Sequence, residues 1–330
     1  MKPSSAAPRL RNAVAFWVVL GSLAIAGLAR SQVSEGQGSW SVKSPVPVAR
    51  AEVPAAVVNG KVYLLGGSAR GVAYDMNRND EYDPDTDTWR ARAPMPRGLN
   101  HMGADALNGK IYAAGGFSER AHGKPDDAFF EYDPATDTWR TLPPLKSKRG
   151  AAAVVGLSGK IHVIAGREGD EPLIKTHDVY DLATGTWSEA APLSRARDHL
   201  VAVAVEGRIH VIGGRFSVGD EDMSDLHEIY DPATNSWSLG PPLPTARGGV
   251  SGTYHQGMIF VLGAEDGVRT YDENEAYDVK AKRWIKLKPL PQQLHGSAVA
   301  SVGQYLYSFT GAKKTGSLDV TDQTLAFRLP

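Results

Sequence analysis

The chain has 330 residues, 42% hydrophobic and 22% charged, ordinary globular proportions in a length that can bury a large core. Its formal net charge of −1 supplies no basic field for nucleic acid, and no run of like charges marks a binding tail. Cysteine is absent, which excludes disulfide staples, thiolate metal sites and cysteine nucleophiles together.

At the N-terminus, Lys2, Arg9 and Arg11 precede eighteen residues without a charge, 12–29. A basic lead, an apolar stretch and small residues at its end (Gly27 and Ala29, or Ala24 and Ala26) fit a secretory signal. The stretch is also long enough to span a bilayer, so residues 1–29 read as a signal peptide or, if uncleaved, a signal anchor. Residues 30–38 read as a linker and 39–330 as the folded domain. An exported chain, periplasmic or secreted, is expected; the alternative is attachment to a membrane through residues 12–29 alone. Export without cysteine fits a bacterial envelope better than a eukaryotic secretory route.

From residue 40 onward the sequence repeats. "YDPDTDTW" ends at Trp89 and returns as "YDPATDTW", "YDLATGTW" and "YDPATNSW", with a worn copy, "YDVKAKRW", ending at Trp284. Trp40, Trp89, Trp139, Trp187, Trp237 and Trp284 are spaced 49, 50, 48, 50 and 47 apart. A small-residue doublet recurs as well, its second members being Gly67, Gly116, Gly166, Gly214, Ala264 and Gly311. Each lies 27 residues beyond the preceding Trp, so all length variation falls between doublet and next Trp. Before each doublet two apolar runs flank a turn, as in "AAVVNGKVYLLGG", a hairpin signal. Asp-Pro-x-Thr then makes a tight turn into a strand ending at Trp. Each unit therefore holds four antiparallel strands, A to D, and a period near 50 residues predicts an all-β fold, a β-propeller.

Gly-Gly, Tyr-Asp-Pro-x-Thr and Trp at this spacing resemble the Kelch repeat, from Trp40 to the C-terminus. Six doublets imply a six-bladed propeller. The last unit lacks a Trp and the first Trp lacks a preceding Tyr-Asp-Pro, so residues 39–42 are expected to supply strand D of the C-terminal blade and close the ring.

The A–B and C–D turns share one face, and the B–C loops and D-to-A crossings share the other. Because the B–C loops carry the length variation, that face is the expected binding face. Ten residues after Trp stand Arg50, Arg149, Arg197 and Arg247, with Leu99 and Leu294 in the other two units. These arginines, joined by Arg167 and Arg215 after two doublets, are expected to ring the axial mouth and bind carboxylates, phosphates or acidic peptides. The resemblance implies the same, since this mouth is the usual Kelch ligand site. The alternative is pairing with B–C carboxylates such as Asp220, Glu221 or Asp225.

Of the histidines, His162 and His210 occupy a slot that holds Tyr63, Tyr112, Phe260 and Tyr307 in other units, so packing is their expected role. His101 and His199 share a position near the axis, but two histidines make a poor metal site and no neighbour completes a set. No metal and no cofactor are expected. No Ser-His-Asp arrangement, phosphate loop or zinc signature appears.

The functional expectation is a non-catalytic recognition domain, monomeric, that binds a protein or an acidic or glycan ligand on the B–C loop face. A purely structural envelope role is hardly separable from it. The alternative is a periplasmic sugar-processing enzyme, by similarity to Kelch sialic acid mutarotases in export, length and blade count. Its candidate groups are Glu265 near Arg269, and Glu168 near Arg167.

Overall fold

The computed structural model describes Met1 and residues 33–69, 75–168, 172–217, 222–316 and 319–329. The apolar segment 12–29, most of the linker, Asp220 and Glu221 lie outside the described residues. The chain divides into two units, Met1–Gln32 and Val33–Pro330, and the strands of the described residues lie in the second. No helix of the described residues is long and apolar enough to cross a membrane.

Six four-stranded antiparallel sheets form the blades. Blade one runs A (Ala55–Val58), B (Lys61–Leu65), C (Asn79–Asp83) and D (Thr88–Ala91), and each later blade repeats that order. Blade six takes its fourth strand from the other end of the chain: Ser39–Lys43 pairs antiparallel with Thr324–Arg328, setting Trp40 opposite Phe327. The ring closes as the sequence implies. The hydrophobic core is not central. Six clusters each fill the space between two neighbouring blades; one, for instance, joins Tyr63 and Leu65 of blade one to Ile111 and Tyr132 of blade two.

Hydrogen bonds placed at equivalent positions hold the blades together. The Nε1–H of each strand-D Trp donates to a carbonyl four residues beyond the preceding Trp, as from Trp89 to Ser44 (3.0 Å) and Trp139 to Ala93 (2.9 Å). Trp40 completes that outer ring through Lys288 (3.1 Å). Inside, the N–H of the second doublet residue donates to the next blade: Gly67 to Leu99, Gly116 to Arg149, and finally Gly311 to Arg50, at 2.9 to 3.0 Å. A Cβ on Gly67, at φ 99°, would stand 2.8 Å from the Ala51 carbonyl, which is why this position takes the smallest residues.

The octapeptide acquires an atomic explanation. Tyr82 and Tyr132 donate their hydroxyls to Asp87 and Asp137 at 2.6 Å. Those carboxylates also accept backbone N–H groups of the preceding crossing, from Ser44 and Ala93. Asp83 accepts the N–H of Asp85, the side-chain turn that starts strand D.

His162 and His210 pack in the aromatic slot as expected, each against a second histidine. His177 and His227 lie with Nδ1 on the carbonyls of Ala191 and Pro241, leaving Nε2 to accept from Nδ1 of His162 and His210 at 2.8 Å. Burial holds all four below the ordinary histidine range, at about 3 for His162 and His210 and about 4 for His177 and His227. The folded state therefore excludes protons that the unfolded chain accepts below about pH 6.5. Stability is expected to fall as pH drops from about 6.5 to 4, by up to ~1.4 kcal/mol per pH unit for each histidine. Urea denaturation across that range should show a shallower decline in the double variant His162→Phe/His210→Phe.

Candidate functional site

The arginines ten residues after Trp do not line the mouth. Arg50, Arg149, Arg197 and Arg247 are 0–1% exposed. Each turns from the axis into its own blade, to an acid on strand C: Arg50 to Asp80 (2.9 Å), Arg149 to Asp178, Arg197 to Glu228 (2.5 Å) and Arg247 to Glu275 (2.5 Å). Their partners are thus strand-C carboxylates, not the B–C loop acids anticipated from sequence. The two blades with Leu in place of Arg have Phe130 and Leu325 in place of the acid. Arginine and acid are present together or absent together, which marks the four as ion pairs internal to the blades. Burial pushes the guanidiniums of Arg50 and Arg197 down, and the partner acids pull them back.

The groups that do reach the axis occupy three six-fold positions. Eleven residues after Trp stand Asn100, Asp198 and His295; twelve after stand Glu52, His101 and His199; twenty-eight after stand Arg167, Arg215 and Glu265. Backbone bridges tie the first set to the third, as Asn100 to Phe117, Asp198 to Arg215 and His295 to Ala312. The middle set forms a collar. All six of its members, Glu52, His101, Ala151, His199, Gly249 and Gly296, have φ between 51° and 66°. Their amides bond from blade to blade: Glu52 to Gly296, His101 to Glu52, Ala151 to His101, His199 to Ala151 and Gly249 to His199, at 2.8 to 3.2 Å. The left-handed backbone turns these side chains toward one another over the axial cavity, whose volume is about 170 Å³. Glycine suits position 296, where φ is 57° and a Cβ would stand 2.9 Å from the Glu52 backbone nitrogen.

The polar side chains of these three positions and one loop histidine meet at the collar. Glu52 places one oxygen 3.2 Å from His101 Nε2 and the other 3.4 Å from His295 Nδ1. Glu265 lies 3.5 Å from both His295 and Arg215, and accepts from Thr315 and the Gly316 amide in the blade-six B–C loop. Asp198 lies against Arg167 (3.5 Å), Arg215 (3.6 Å) and His199 Nδ1 (2.9 Å). Burial opposes the charge on His295, but the nearby Glu52 and Glu265 carboxylates and the Lys314 carbonyl on Nε2 outweigh it and raise it to about 9. Burial holds His101 and His199 far below the usual range, helped by neighbouring cations.

Sequence reasoning missed His122. It sits in the blade-two B–C loop, on a small hairpin that pairs Phe117 with Pro125 and Ser118 with Lys124. That hairpin folds the loop over the axis and sets His122 Nε2 3.0 Å from His199 Nε2. His101, His122 and His199 offer ring nitrogens within 4.8 Å of one another. The third histidine that sequence spacing could not find is therefore present.

Among known proteins, the KLHDC2/KLHL20/DRC7 Kelch-repeats domain matches residues 100–311, and the Kelch motif matches residues 49–96. The chain belongs to the Kelch-repeat family. A solved structure titled "Structure of YjhT" aligns with a TM-score of 0.73 at 16% identity, covering 87% of this chain and 97% of that one, a likeness of fold. No curated protein matches the chain. Kelch propellers generally serve as protein-interaction domains.

In this Kelch propeller the catalytic pairings expected from sequence are rearranged. Arg269 is 52% exposed, lies over the Tyr271 ring and faces Glu273 at 3.4 Å. Glu265 turns from it to Arg215, and Arg167 faces Asp198 and the Phe117 ring rather than Glu168. Of the six arginines expected at the mouth, Arg167 and Arg215 alone reach the axial cluster.

The sealed pairs give a test. Arg197→Met should cost about 3–5 kcal/mol in urea denaturation, because Glu228 is left buried and uncompensated. Adding Glu228→Met, which reproduces the Leu99 and Phe130 arrangement in kind, should recover most of that loss.

Proposed function

We propose that the chain is an exported recognition module that holds a protein or an acidic or glycan ligand on its B–C loop face without transforming it. The observation that carries this reading is the concentration of charged and imidazole side chains at one end of the axis. That end lies under the loops that vary in length, while the A–B and C–D turns at the other end are stereotyped. A rigid frame with variable loops around a polar depression is the usual form of a binding face. The basic lead and apolar residues 12–29 support export, periplasmic or secreted, and a ring closed by strand pairing within one chain supports a monomer. A photo-crosslinker at Val268, 87% exposed at the tip of the blade-five B–C loop, should capture a partner from the source envelope. The same probe at Ala135, in a C–D turn, should not. Equal capture from both positions would remove the B–C face from consideration.

A second reading, a sugar-processing enzyme, has one observation of its own. Glu52 and Glu265 flank a charged His295, with Arg215 beside Glu265. A carboxylate next to a proton-bearing imidazole and a guanidinium can move a proton on an acidic sugar. If so, the protein should accelerate anomer exchange of sialic acid followed by NMR, and Glu265→Gln should abolish the acceleration without lowering the melting temperature by more than a few degrees. No acceleration by the unaltered protein leaves the recognition reading standing alone.

A further inference from the structure

The arrangement of the three axial histidines points to a role of their own, whichever partner the face binds. Asn100 donates its amide to the carbonyl of Phe117 at 3.0 Å, which turns its Oδ1 toward His101 Nδ1, 2.6 Å away. An oxygen acceptor there fixes the proton on Nδ1 and leaves the lone pair of His101 on Nε2. The Asp198 carboxylate stands 2.9 Å from His199 Nδ1, a close electrostatic contact rather than an aligned hydrogen bond, on the ring nitrogen that does not face His122. His101 Nε2 faces the Glu52 carboxylate at 3.2 Å, and His199 Nε2 faces His122 Nε2 at 3.0 Å, a distance that one shared proton or one shared ion can bridge. Three ring nitrogens thus converge within 4.8 Å of one another at the axis, a spacing that one cation can draw together.

We propose that His101, His122 and His199 bind one divalent transition-metal ion of the zinc class through their ring nitrogens. Three imidazoles suit zinc, nickel, cobalt or copper rather than calcium or magnesium, which take oxygen ligands. Ligands on a tetrahedral zinc at 2.0–2.1 Å stand about 3.3 Å apart. The His122 and His199 nitrogens are already near that spacing, and His101 lies within 4.8 Å of both. Asn100 and Asp198 act as the outer partners that metal-bound histidines commonly have, holding each ring by its other nitrogen. Among the described residues, Arg167 and Arg215 are set against Asp198 and Glu265 around the three rings. Three protein ligands leave a fourth position for the Glu52 carboxylate or for an oxygen of a bound molecule. Entry is from the loop face, where His122 is only half-buried.

The test uses the full chain, stripped with a chelator, dialysed against zinc and assayed for retained metal. One equivalent per chain is expected, and cobalt in its place should give the visible bands of a low-coordinate imidazole complex. His122→Ala changes a loop residue and should leave the fold intact by circular dichroism. It should weaken zinc binding by at least about 100-fold, since loss of an outer partner alone costs 10–100-fold. Asn100→Ala should fall within that smaller range. Absence of retained zinc in the unaltered protein would overturn the proposal. So would zinc retained equally by His122→Ala, which would place the ion elsewhere on the chain.

Discussion

The amide of the second doublet residue, donating to the carbonyl ten residues after the next Trp, is the contact on which the rest of the architecture depends. It joins each blade to its neighbour at the point where two backbones come closest, and it needs a residue with almost no side chain. The link recurs around the ring and closes from Gly311 to Arg50. Once those positions are fixed, the collar at twelve residues and the bridged position at twenty-eight are fixed as well. Chemistry can then be written onto the axis by side-chain choice alone. Glu52, His101, His199, Asp198, Arg215 and Glu265 differ from blade to blade on a backbone that does not.

The frame carries a second set of charges that has nothing to do with the axis. A guanidinium and a carboxylate inside each of four blades satisfy one another away from water. Two blades do without them, using Leu99 with Phe130 and Leu294 with Leu325. Buried ion pairs of this kind are costly to break and gain little over apolar replacements. Both solutions within one chain fit that balance, and they separate the arginines that build the ring from the two that reach its centre.

The repeat was legible because its signals are tied to backbone geometry. Glycine doublets, Trp and the Tyr-Asp turn mark places where only certain residues fit, so blade count, strand order and ring closure could be read from spacing. The site was less legible for two reasons. Spacing puts Arg50 at the inner end of strand A but does not say whether the side chain turns to the axis or into the blade. The matching loss of arginine and strand-C acid in two units was the available signal for that. His122 had no such signal, since a hairpin of two short strands outside the repeat, Phe117–Ser118 and Lys124–Pro125, decides where its loop goes. Arg215 was placed correctly near the centre, yet its partnership with Glu265 spans 50 residues and is invisible in linear order.

The borrowed strand at the chain's beginning sets the order of assembly. Ser39–Lys43 is made among the first residues of the domain, but its partner, Thr324–Arg328, is made last. Three closing bonds, from Trp40 to Lys288, Glu52 to Gly296 and Gly311 to Arg50, likewise join the two ends of the sequence. A nascent chain can form hairpins and stack several blades, but the ring cannot lock until Thr324–Arg328 has been made. The centre of the ring is therefore assembled late. Glu52 meets His295 only when first and last blades dock, so the axial chemistry comes into being with the finished molecule and not with any partial one.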